Sequence, residues 1–588
     1  MSPIKPPVDP APTFSTARVP AATPSASDLT PGPGTRAARR HAGLLTILLA
    51  LSLGFPAGGL PGPAAGSACE PTADPDDPAP LNIVFLFADD WGRHASIYAA
   101  LSEQPGVNDV LETPHFDRLA RDGVLFRHAH VSAPSCTPCR SAILSGQHFY
   151  RTGRGAILLG ALWDDSIPTY PLLLREHGYH IGFSYKVWRP GNPPDAPHGG
   201  ADHRYNPGGQ RFNSFSQHVT RRITEGLTME QAEAELHEEV RVNFRAFMAD
   251  REPGQPFCYW WGPTNVHRSW IQGSGKALWG IDPDDLEDRM PPFLPDVHEV
   301  REDLADYFGE VQAFDAGVGV LLEELRASGE WERTLIVISG DHGAPGFPYG
   351  KCNLYDFGTG VPLAIAGPGV RGGRVVTDFV NLADLAPTFL EAAGIEPPEV
   401  MTGRSLWPLL ASDQEGQVDP TRDHVITGRE RHVDMARKDY LPYPQRAIRT
   451  AGHSFIINFK PDRWPLGDPY RLDGDNPPTV QELKTRTFVT LADEDAGPTK
   501  AWLVMHRDHP DWRDHFDWVY GKRAGEELYD LAADPYETIN LANDPEYADI
   551  RDRLRARLLA ELEATGDPRL VDDGAYFENP PLAGPPEL

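Results

Sequence analysis

Two adjacent acidic residues, Asp89 and Asp90, directly follow a nearly continuous apolar run at residues 81–88. Such a run is typical of a strand that is buried on both faces of a parallel sheet. Open α/β sheets place their active sites at the carboxyl ends of these strands, and adjacent carboxylates there need a cation to be tolerated. We therefore interpret the pair as candidate metal ligands; the alternative is the start of a solvated loop.

A second apolar run, residues 335–339, leads into Asp341 and His342. This second strand end supplies further candidate ligands for the same metal site. Carboxylate oxygens are hard donors that suit calcium or magnesium. An imidazole is a softer ligand, so His342 either binds a metal ion directly or orients another ligand.

The chain has five cysteines, and two of them form the pair Cys136-x-x-Cys139. In a thioredoxin-like context this pair would be a redox centre, but the βαβ pattern expected around it is missing. Another alternative is an ordinary loop cysteine beside a proline. Cys136 also begins a Cys-x-Pro-x-Arg pattern that ends at Arg140. The remaining cysteines are Cys69, Cys258 and Cys352.

The segment from Cys136 to Arg140 resembles the signature by which sulfatases mark their nucleophile, and residues 141–147 resemble the helix and Ser-Gly turn that follow it. The resemblance extends over about residues 81–563. It implies that a maturation enzyme oxidises Cys136 to formylglycine. A hydrated aldehyde has one hydroxyl to attack sulfur and a second to expel the product, whereas a thiolate would be trapped as a stable adduct.

The same resemblance implies a divalent cation, most often calcium in this family. Its ligands would be Asp89, Asp90, Asp341, His342 and the modified Cys136.

Basic residues also occur at family-like positions. By the resemblance, Arg140, Lys186 and Lys351 would offset the charge that builds on the sulfuryl oxygens. His267 follows an aromatic strand-like run and is the expected general acid. The histidine usually found two residues after the lysine is replaced here by Trp188, so either another group supplies that contact or the site works without it.

Residues 443–450, with Glu430-Arg431-His432 upstream, resemble the sulfamidase-like (N-sulfoglucosamine sulfohydrolase-like) branch of sulfatases. That branch would act on glycan sulfate. An aromatic ring could pack against a sugar face, and cations could meet carboxylates or further sulfates. Candidate substrate residues are Arg151, Arg154, Trp163, Arg268 and His432.

We therefore predict an exported sulfatase that hydrolyses sulfate esters or sulfamates on sulfated carbohydrate. Two alternatives stay open. Relatives in the alkaline-phosphatase superfamily share the sheet and the metal position, so the chain could hydrolyse phosphate or phosphonate esters. The replacement at Trp188 is also compatible with a catalytically silent protein that binds sulfated glycans.

The length of 588 residues, with 40% hydrophobic content, exceeds a usual single core. We expect an α/β fold: a large mixed, mostly parallel sheet sandwiched by helices, alkaline-phosphatase-like, with a smaller C-terminal α+β domain. A long helix is predicted at 301–328 and an amphipathic helix at 550–562. The predicted divisions are a catalytic domain at 80–412, an antiparallel-sheet subdomain at 420–565 and a tail at 566–588.

The N-terminal region is read as a targeting segment. Residues 1–35 are rich in Pro, Ala, Ser and Thr and predict a disordered leader. Residues 36–68 contain arginines before an apolar stretch that is too short for a stable transmembrane span, which predicts a signal peptide and a periplasmic or extracellular protein. Lipid anchoring at Cys69 is an alternative.

The formal net charge of −30 argues against nucleic acid as a partner. An anionic substrate must therefore be met by a local cationic pocket.

Overall fold

The structure, a computed structural model, describes residues 80–102 and 104–578. The predicted leader (1–35), the predicted signal peptide (36–68) and Cys69 lie outside the described residues, as do residues 579–588 of the predicted tail. In the described part of the chain, no helix combines the length and apolar character needed to cross a lipid bilayer.

Two β-sheets organise the described residues. Their strands are β1 (Asn82–Ala88), β2 (Val124–His130), β3 (His180–Tyr185), β4 (Phe257–Gly262), β5 (Thr334–Gly340), β6 (Leu363–Ala366), β7 (Arg374–Asn381), β8 (His424–Arg429), β9 (Gln445–Thr450), β10 (His453–Asn458) and β11 (Glu526–Asp530).

Helices flank these strands. They are α1 (Ser96–Ala99), α2 (Pro114–Asp122), α3 (Cys136–Ser145), α4 (Tyr170–Glu176), α5 (Phe215–Thr224), α6 (Met229–Asp250), α7 (Ser274–Trp279), α8 (His298–Ala327), α9 (Asp356–Thr359), α10 (Leu385–Ala392), α11 (Trp407–Leu410), α12 (Val480–Thr485), α13 (Pro498–Met505), α14 (Arg513–Tyr520), α15 (Ala548–Ala564) and α16 (Ala575–Glu578).

The larger sheet has seven strands in the order β3-β4-β1-β5-β6-β2-β7. All neighbouring pairs are parallel except those made by β6, which runs antiparallel to both β5 and β2. Parallel neighbours require crossover connections, and the helices between the strands supply them. This mixed, mostly parallel sheet confirms the predicted α/β fold class.

The central strand β1 is buried on both faces, as its apolar sequence predicts. Val84 and Leu86 point into one apolar cluster, where helix α8 packs. Ile83 and Phe85 point into another, on the opposite face. Since alternate side chains of a strand face opposite sides of a sheet, helices cover both faces and fix the carboxyl edge between them.

The smaller sheet is antiparallel throughout, in the order β11-β10-β9-β8. Helix α15 packs on it, and Leu554, Leu558 and Leu562 of that helix join the same apolar cluster as Ile448 of β9. This confirms the predicted antiparallel sheet and the predicted amphipathic helix at 550–562. Both sheets belong to one compact unit, so the domain boundaries at 412 and 420 remain predictions.

Residues 566–578, which belong to the predicted tail, pack against the smaller sheet. Arg569 pairs with the buried Glu430, and Phe577 is buried against the smaller sheet's apolar cluster. A buried ion pair and a buried aromatic ring require a packed segment.

A long connection between β10 and β11 was not predicted. It carries α12, α13 and α14 and docks on α8, where Thr499 donates hydrogen bonds from its backbone N–H and its hydroxyl to Asp303. The connection therefore brings residues of the C-terminal part to the edge of the large sheet.

Candidate active site

The residues with potential chemistry gather at the carboxyl edge of the large sheet. Strands β1 and β5 pair in parallel with Ala88 opposite Gly340, so Asp89 and Asp341 emerge side by side. The backbone N–H of Asp90 donates to Asp341 Oδ1 at 2.7 Å. Gly340 is needed for this approach, because an added Cβ would lie 2.1 Å from the Trp91 carbonyl oxygen.

Helix α3 begins at Cys136 and aims its amino terminus at the same edge. The Cys136 Sγ lies 3.7 Å from Asp90 Oδ1 and 3.5 Å from His342 Nε2. Burial, aided by the charge of Asp89, raises the pKa of the Cys136 thiol well above its ordinary value. An unmodified Cys136 is thus a poor thiolate nucleophile, whereas the helix terminus favours negative charge that develops on an oxygen there.

A cluster of metal-ligand types surrounds Cys136. Ligand atoms of Asp90, Cys136, Asp341 and His342 all lie within 4.8 Å of one another. His342 turns its Nε2 toward Asp90 Oδ1, at 3.2 Å. Burial raises the pKa of Asp341 and outweighs the opposite effect of His342 and Arg140. These donors fit a hard divalent cation, which would compensate the buried carboxylates.

Two basic side chains neutralise Asp89. Lys186 Nζ lies 2.6 and 2.7 Å from the two carboxylate oxygens of Asp89. The Arg140 guanidinium donates to Asp89 Oδ1 and Asp341 Oδ2, both at 2.9 Å. Although burial opposes ionisation, Lys186 and then Arg140 hold the pKa of Asp89 well below its ordinary value. The Arg140 side chain is fully buried, so it fixes the positions of Asp89 and Asp341 and is not accessible to a ligand.

Lys351 lies on the other side of Asp90. Its Nζ is 3.1 Å from Asp90 Oδ2, 3.2 Å from His267 Nε2 and 3.1 Å from Asp495 Oδ2. Burial opposes its charge, but Asp495 and Asp90 raise the pKa of Lys351 well above its ordinary value. The ammonium is therefore a permanent cation beside the position of Cys136.

His267 is oriented for proton transfer. Its Nδ1 lies 2.6 Å from the carbonyl oxygen of Arg268, which assigns the Nδ1 proton to that hydrogen bond. The other ring nitrogen, Nε2, then faces the site and lies 3.7 Å from Asp90 Oδ2. The side chain is 32% exposed, so a ligand can reach it. This geometry suits a general acid or base.

Trp188 does not take the place of the histidine that it replaces. Its indole ring is buried and donates to Ser141 Oγ at 2.7 Å, inside α3. Thr137 donates to the Trp188 carbonyl oxygen. The tryptophan thereby braces the helix that begins at Cys136.

The candidate substrate residues are not brought together as one group. His432 lies next to the site, with Nδ1 2.8 Å from the hydroxyl of Ser135, the residue before Cys136. Burial lowers the pKa of His432 to about 3, so its ring is neutral. Arg268 makes a two-pronged ion pair with the buried Asp303 at 2.7 and 2.8 Å.

The other three candidates have structural contacts. Trp163 is buried and packs edge-on against Trp188, with ring centroids 5.4 Å apart. Arg151 donates to the Thr565 carbonyl oxygen at 2.5 Å, and Arg154 donates to the Gly160 carbonyl oxygen at 2.8 Å. Their roles in substrate binding remain predictions.

Asp495 and Ser135 are the site residues that the sequence did not reveal. Asp495 lies in the connection between β10 and β11, in a loop with no motif. The only sequence signal is a run of three acids, Asp493-Glu494-Asp495, which is normally a solvated surface feature. Ser135 stands beside the cysteine motif, but its partner His432 is distant in sequence.

The chain is an α/β protein with a mixed, mostly parallel sheet and a group of candidate cation ligands at the carboxyl edge of that sheet. Residues 81–395 match the sequence model of the Sulfatase family. The chain is 30% identical to human N-sulphoglucosamine sulphohydrolase over 539 residues, which cover 85% of this chain and 93% of the relative. The chain therefore belongs to the sulfatase family and is a sulfuric ester hydrolase.

Two further similarities agree with this assignment. An ulvan-active sulfatase from Formosa agariphila is 24% identical over 512 residues, covering 83% of this chain and 75% of the relative. A solved structure of a protein in complex with its substrate D-glucosamine-2-N,6-O-disulfate superposes with a TM-score of 0.55 at 17% identity, covering 84% of this chain and all of the other. The latter similarity supports the fold.

Proposed function

We propose that this protein is an exported sulfatase that hydrolyses sulfate esters or sulfamates of sulfated glycans, with formylglycine made from Cys136 as its nucleophile. One observation carries the proposal: the first residue of α3 lies within 4 Å of two candidate cation ligands, Asp90 and His342. The position of the nucleophile, the candidate cation ligands and a basic residue, Lys351, thus lie together, as the transfer of a sulfuryl group requires.

The cation is proposed to be calcium. Asp89, Asp90, Asp341, His342 and residue 136 would hold it, and it would polarise the sulfuryl oxygens as a Lewis acid. Three carboxylates in this donor set favour a hard ion, and the imidazole of His342 leaves room for another divalent ion.

Hydrated formylglycine would supply one hydroxyl to attack sulfur and a second whose deprotonation expels sulfate. The residues around it have separate tasks. Lys186 and Arg140 keep Asp89 ionised and in place, as its two-sided ion pairing indicates. Lys351 places a fixed positive charge where negative charge develops on the sulfuryl oxygens.

In its doubly protonated form, His267 would keep the Nδ1 proton and give its Nε2 proton to the departing oxygen or nitrogen. The bond from sulfur to the leaving group breaks, and the leaving atom keeps the electron pair and takes this proton. Lys351 beside Nε2 places the sulfuryl group and the proton donor within reach of each other. The hydrogen bond from Nδ1 to the Arg268 carbonyl oxygen holds the ring in the required orientation.

Sulfated carbohydrate is the proposed substrate class. The names of two relatives refer to N-sulphoglucosamine and to ulvan. The partners proposed are this substrate and a maturation enzyme that oxidises Cys136. Export rests on the N-terminal sequence pattern.

The test combines chemistry and turnover on protein made in its own host. The peptide that contains Cys136 is expected to carry the mass change for replacement of CH2–SH by CHO, and the purified protein is expected to release sulfate from sulfated sugars. Cys136→Ala should abolish turnover. Cys139→Ala is the matched control, because Cys139 is buried in the neighbouring turn of α3 and packs in an apolar cluster.

The alternatives predict different results. A redox pair would need both cysteines, so loss of activity in Cys139→Ala with no aldehyde at position 136 would support it. Binding of sulfated glycans without turnover, together with an unmodified thiol, would support the silent binding protein. Faster cleavage of a phenyl phosphonate than of the matching phenyl sulfate would support the phosphonate hydrolase.

A further inference from the structure

Asp495 is a carboxylate at the wall of a site that must accept an anion. Its Oδ2 forms an ion pair with Lys351 at 3.1 Å, and its side chain is 16% exposed. Lys351 in turn contacts His267, the proposed proton donor to the leaving group. Asp495 therefore lies on the leaving-group side of Lys351, and it lies beyond residue 395, where the Sulfatase match ends.

The loop that carries Asp495 is held firmly. The preceding Asp493 pairs with the guanidinium groups of Arg429 and Arg437 at 2.5 and 2.7 Å. Lys500 donates to the Glu494 carbonyl oxygen at 2.7 Å. These contacts hold the backbone at the two residues that precede Asp495, which keeps its carboxylate beside Lys351.

Asp495 also stays ionised near neutral pH. Burial opposes ionisation, but Lys351, followed by His267, holds the pKa of Asp495 well below its ordinary value. A fixed negative charge repels sulfuryl oxygens, which only accept hydrogen bonds. Such a charge makes a favourable contact with the substrate only where the substrate offers a hydrogen-bond donor. The bridging oxygen of a sulfate ester has no hydrogen, whereas the bridging nitrogen of a sulfamate carries one.

We propose that Asp495 is a specificity-determining residue that accepts a hydrogen bond from the N–H of a sulfamate, so that the site prefers N-sulfated amino sugars to O-sulfated sugars. The inference rests on the proposed function. During cleavage the S–N bond breaks, the nitrogen keeps the electron pair and takes the proton from His267, and the sulfuryl group passes to residue 136. The released amine takes a further proton from water, and Asp495 then faces an ammonium.

A purely structural role is the competing explanation, since Asp495 also restrains Lys351. Loss of that restraint would weaken every substrate alike. Loss of an N–H acceptor would weaken only sulfamates. The ratio between two substrates therefore separates the two roles, and absolute activity does not.

Binding is measured first, in a Cys136→Ala background that cannot turn substrate over. The probes are glucosamine N-sulfate and N-acetylglucosamine 6-sulfate, titrated by calorimetry. Adding Asp495→Ala is expected to raise the Kd of the N-sulfate about tenfold, as for loss of one charge-assisted hydrogen bond, and to change the Kd of the 6-sulfate less than about twofold. Asp473→Ala, an exposed acid of the same connection, is the control.

Turnover of the same two sugars completes the test with Cys136 intact. We expect Asp495→Ala to lower the ratio of kcat/KM for N-sulfate over 6-sulfate at least about tenfold, with a smaller drop for Asp495→Asn, which keeps an acceptor oxygen. Asp495→Asn also serves if the alanine variant does not fold. An unchanged ratio in the variants overturns the inference.

Failure of the two proposals can be told apart. A wild-type protein that cleaves O-sulfated sugars and no sulfamate overturns the role of Asp495 and leaves the sulfatase proposal intact. A wild-type protein with formylglycine that cleaves neither sugar overturns the proposed function itself.

Discussion

The candidate active site has two halves that differ in origin. The sheet-edge half comprises Asp89, Asp90, Cys136, Arg140, Lys186, Asp341 and His342, which follow strands β1, β3 and β5 or belong to α3. The C-terminal half comprises His432 and Asp495, which reach the site from the smaller sheet and from the connection between β10 and β11.

The two halves also handle charge differently. In the sheet-edge half, carboxylates and basic groups compensate one another, and the remaining donors fit a cation. The C-terminal half contributes a neutral histidine and a carboxylate that pairs with Lys351. We therefore expect the two halves to have separate roles. The sheet-edge half would cleave the bond between sulfur and the leaving group, and the C-terminal half would determine which leaving group is accepted.

Removal of the nucleophile should have the largest effect. We expect Cys136→Ala to lower kcat on any sulfated sugar about 10⁴-fold or more, because no other group can attack sulfur. Thermal unfolding should change little, since only one buried sulfur atom is lost. Residual activity within a factor of ten of wild type would show that the sheet-edge half does not act through position 136.

Removal of the divalent ion should come next. Chelation is expected to abolish most activity. It should also lower the free energy of unfolding by about 3 kcal/mol if the free ion had been present at ~100 times its Kd, because an ion that binds only the folded state stabilises that state. Differential scanning calorimetry with and without chelator measures this, followed by addition of calcium or magnesium. Asp341→Asn is the control variant, and its melting temperature should no longer respond to the ion.

Lys351 joins the two halves and should have an intermediate effect. We expect Lys351→Ala to lower kcat about 10²- to 10³-fold on both N- and O-sulfated sugars, since a preorganised charge at the sulfuryl oxygens is lost. Steady-state kinetics on the two substrates test this. Lys460→Ala, which removes a lysine paired with the exposed Asp573, should change neither rate.

Asp493 anchors the C-terminal half, and its loss should affect stability more than turnover. Asp493→Asn leaves two buried guanidinium groups, of Arg429 and Arg437, without their counter-charge, which we expect to cost about 3 kcal/mol in chemical unfolding at pH 7. kcat on an O-sulfated sugar should fall less than about tenfold.

The pH dependence of this effect has a definite sign. Despite burial, Arg437 and Arg429 lower the pKa of Asp493 from 3.8 to about 2. A carboxyl with a depressed pKa in the folded state stabilises the fold fully above pH 4, and this contribution is lost as pH falls from 4 through 2. The difference in free energy of unfolding between wild type and Asp493→Asn should therefore decrease as pH falls from 4 to 2. A difference that increases over this range would contradict the lowered pKa of Asp493.

Much of the sheet-edge half could be predicted from the sequence. The apolar runs at 81–88 and 335–339 are strands buried on both faces, and their final residues carry Asp89, Asp90 and Asp341 to a shared edge. The Cys-x-Pro-x-Arg motif places Cys136 and Arg140 one helical turn apart on α3. Such local patterns suffice because strand and helix periodicity fix where neighbouring side chains point.

The sequence by itself therefore determined the fold class, the position of the proposed nucleophile and the set of candidate cation ligands. Only the tertiary structure decided the rest. It paired His432 with Ser135 across 297 residues, occupied Arg268 with Asp303, and brought Asp495 to Lys351. These contacts depend on how the smaller sheet and its long connection dock on α8, and no local periodicity encodes the docking of elements that are distant in the chain.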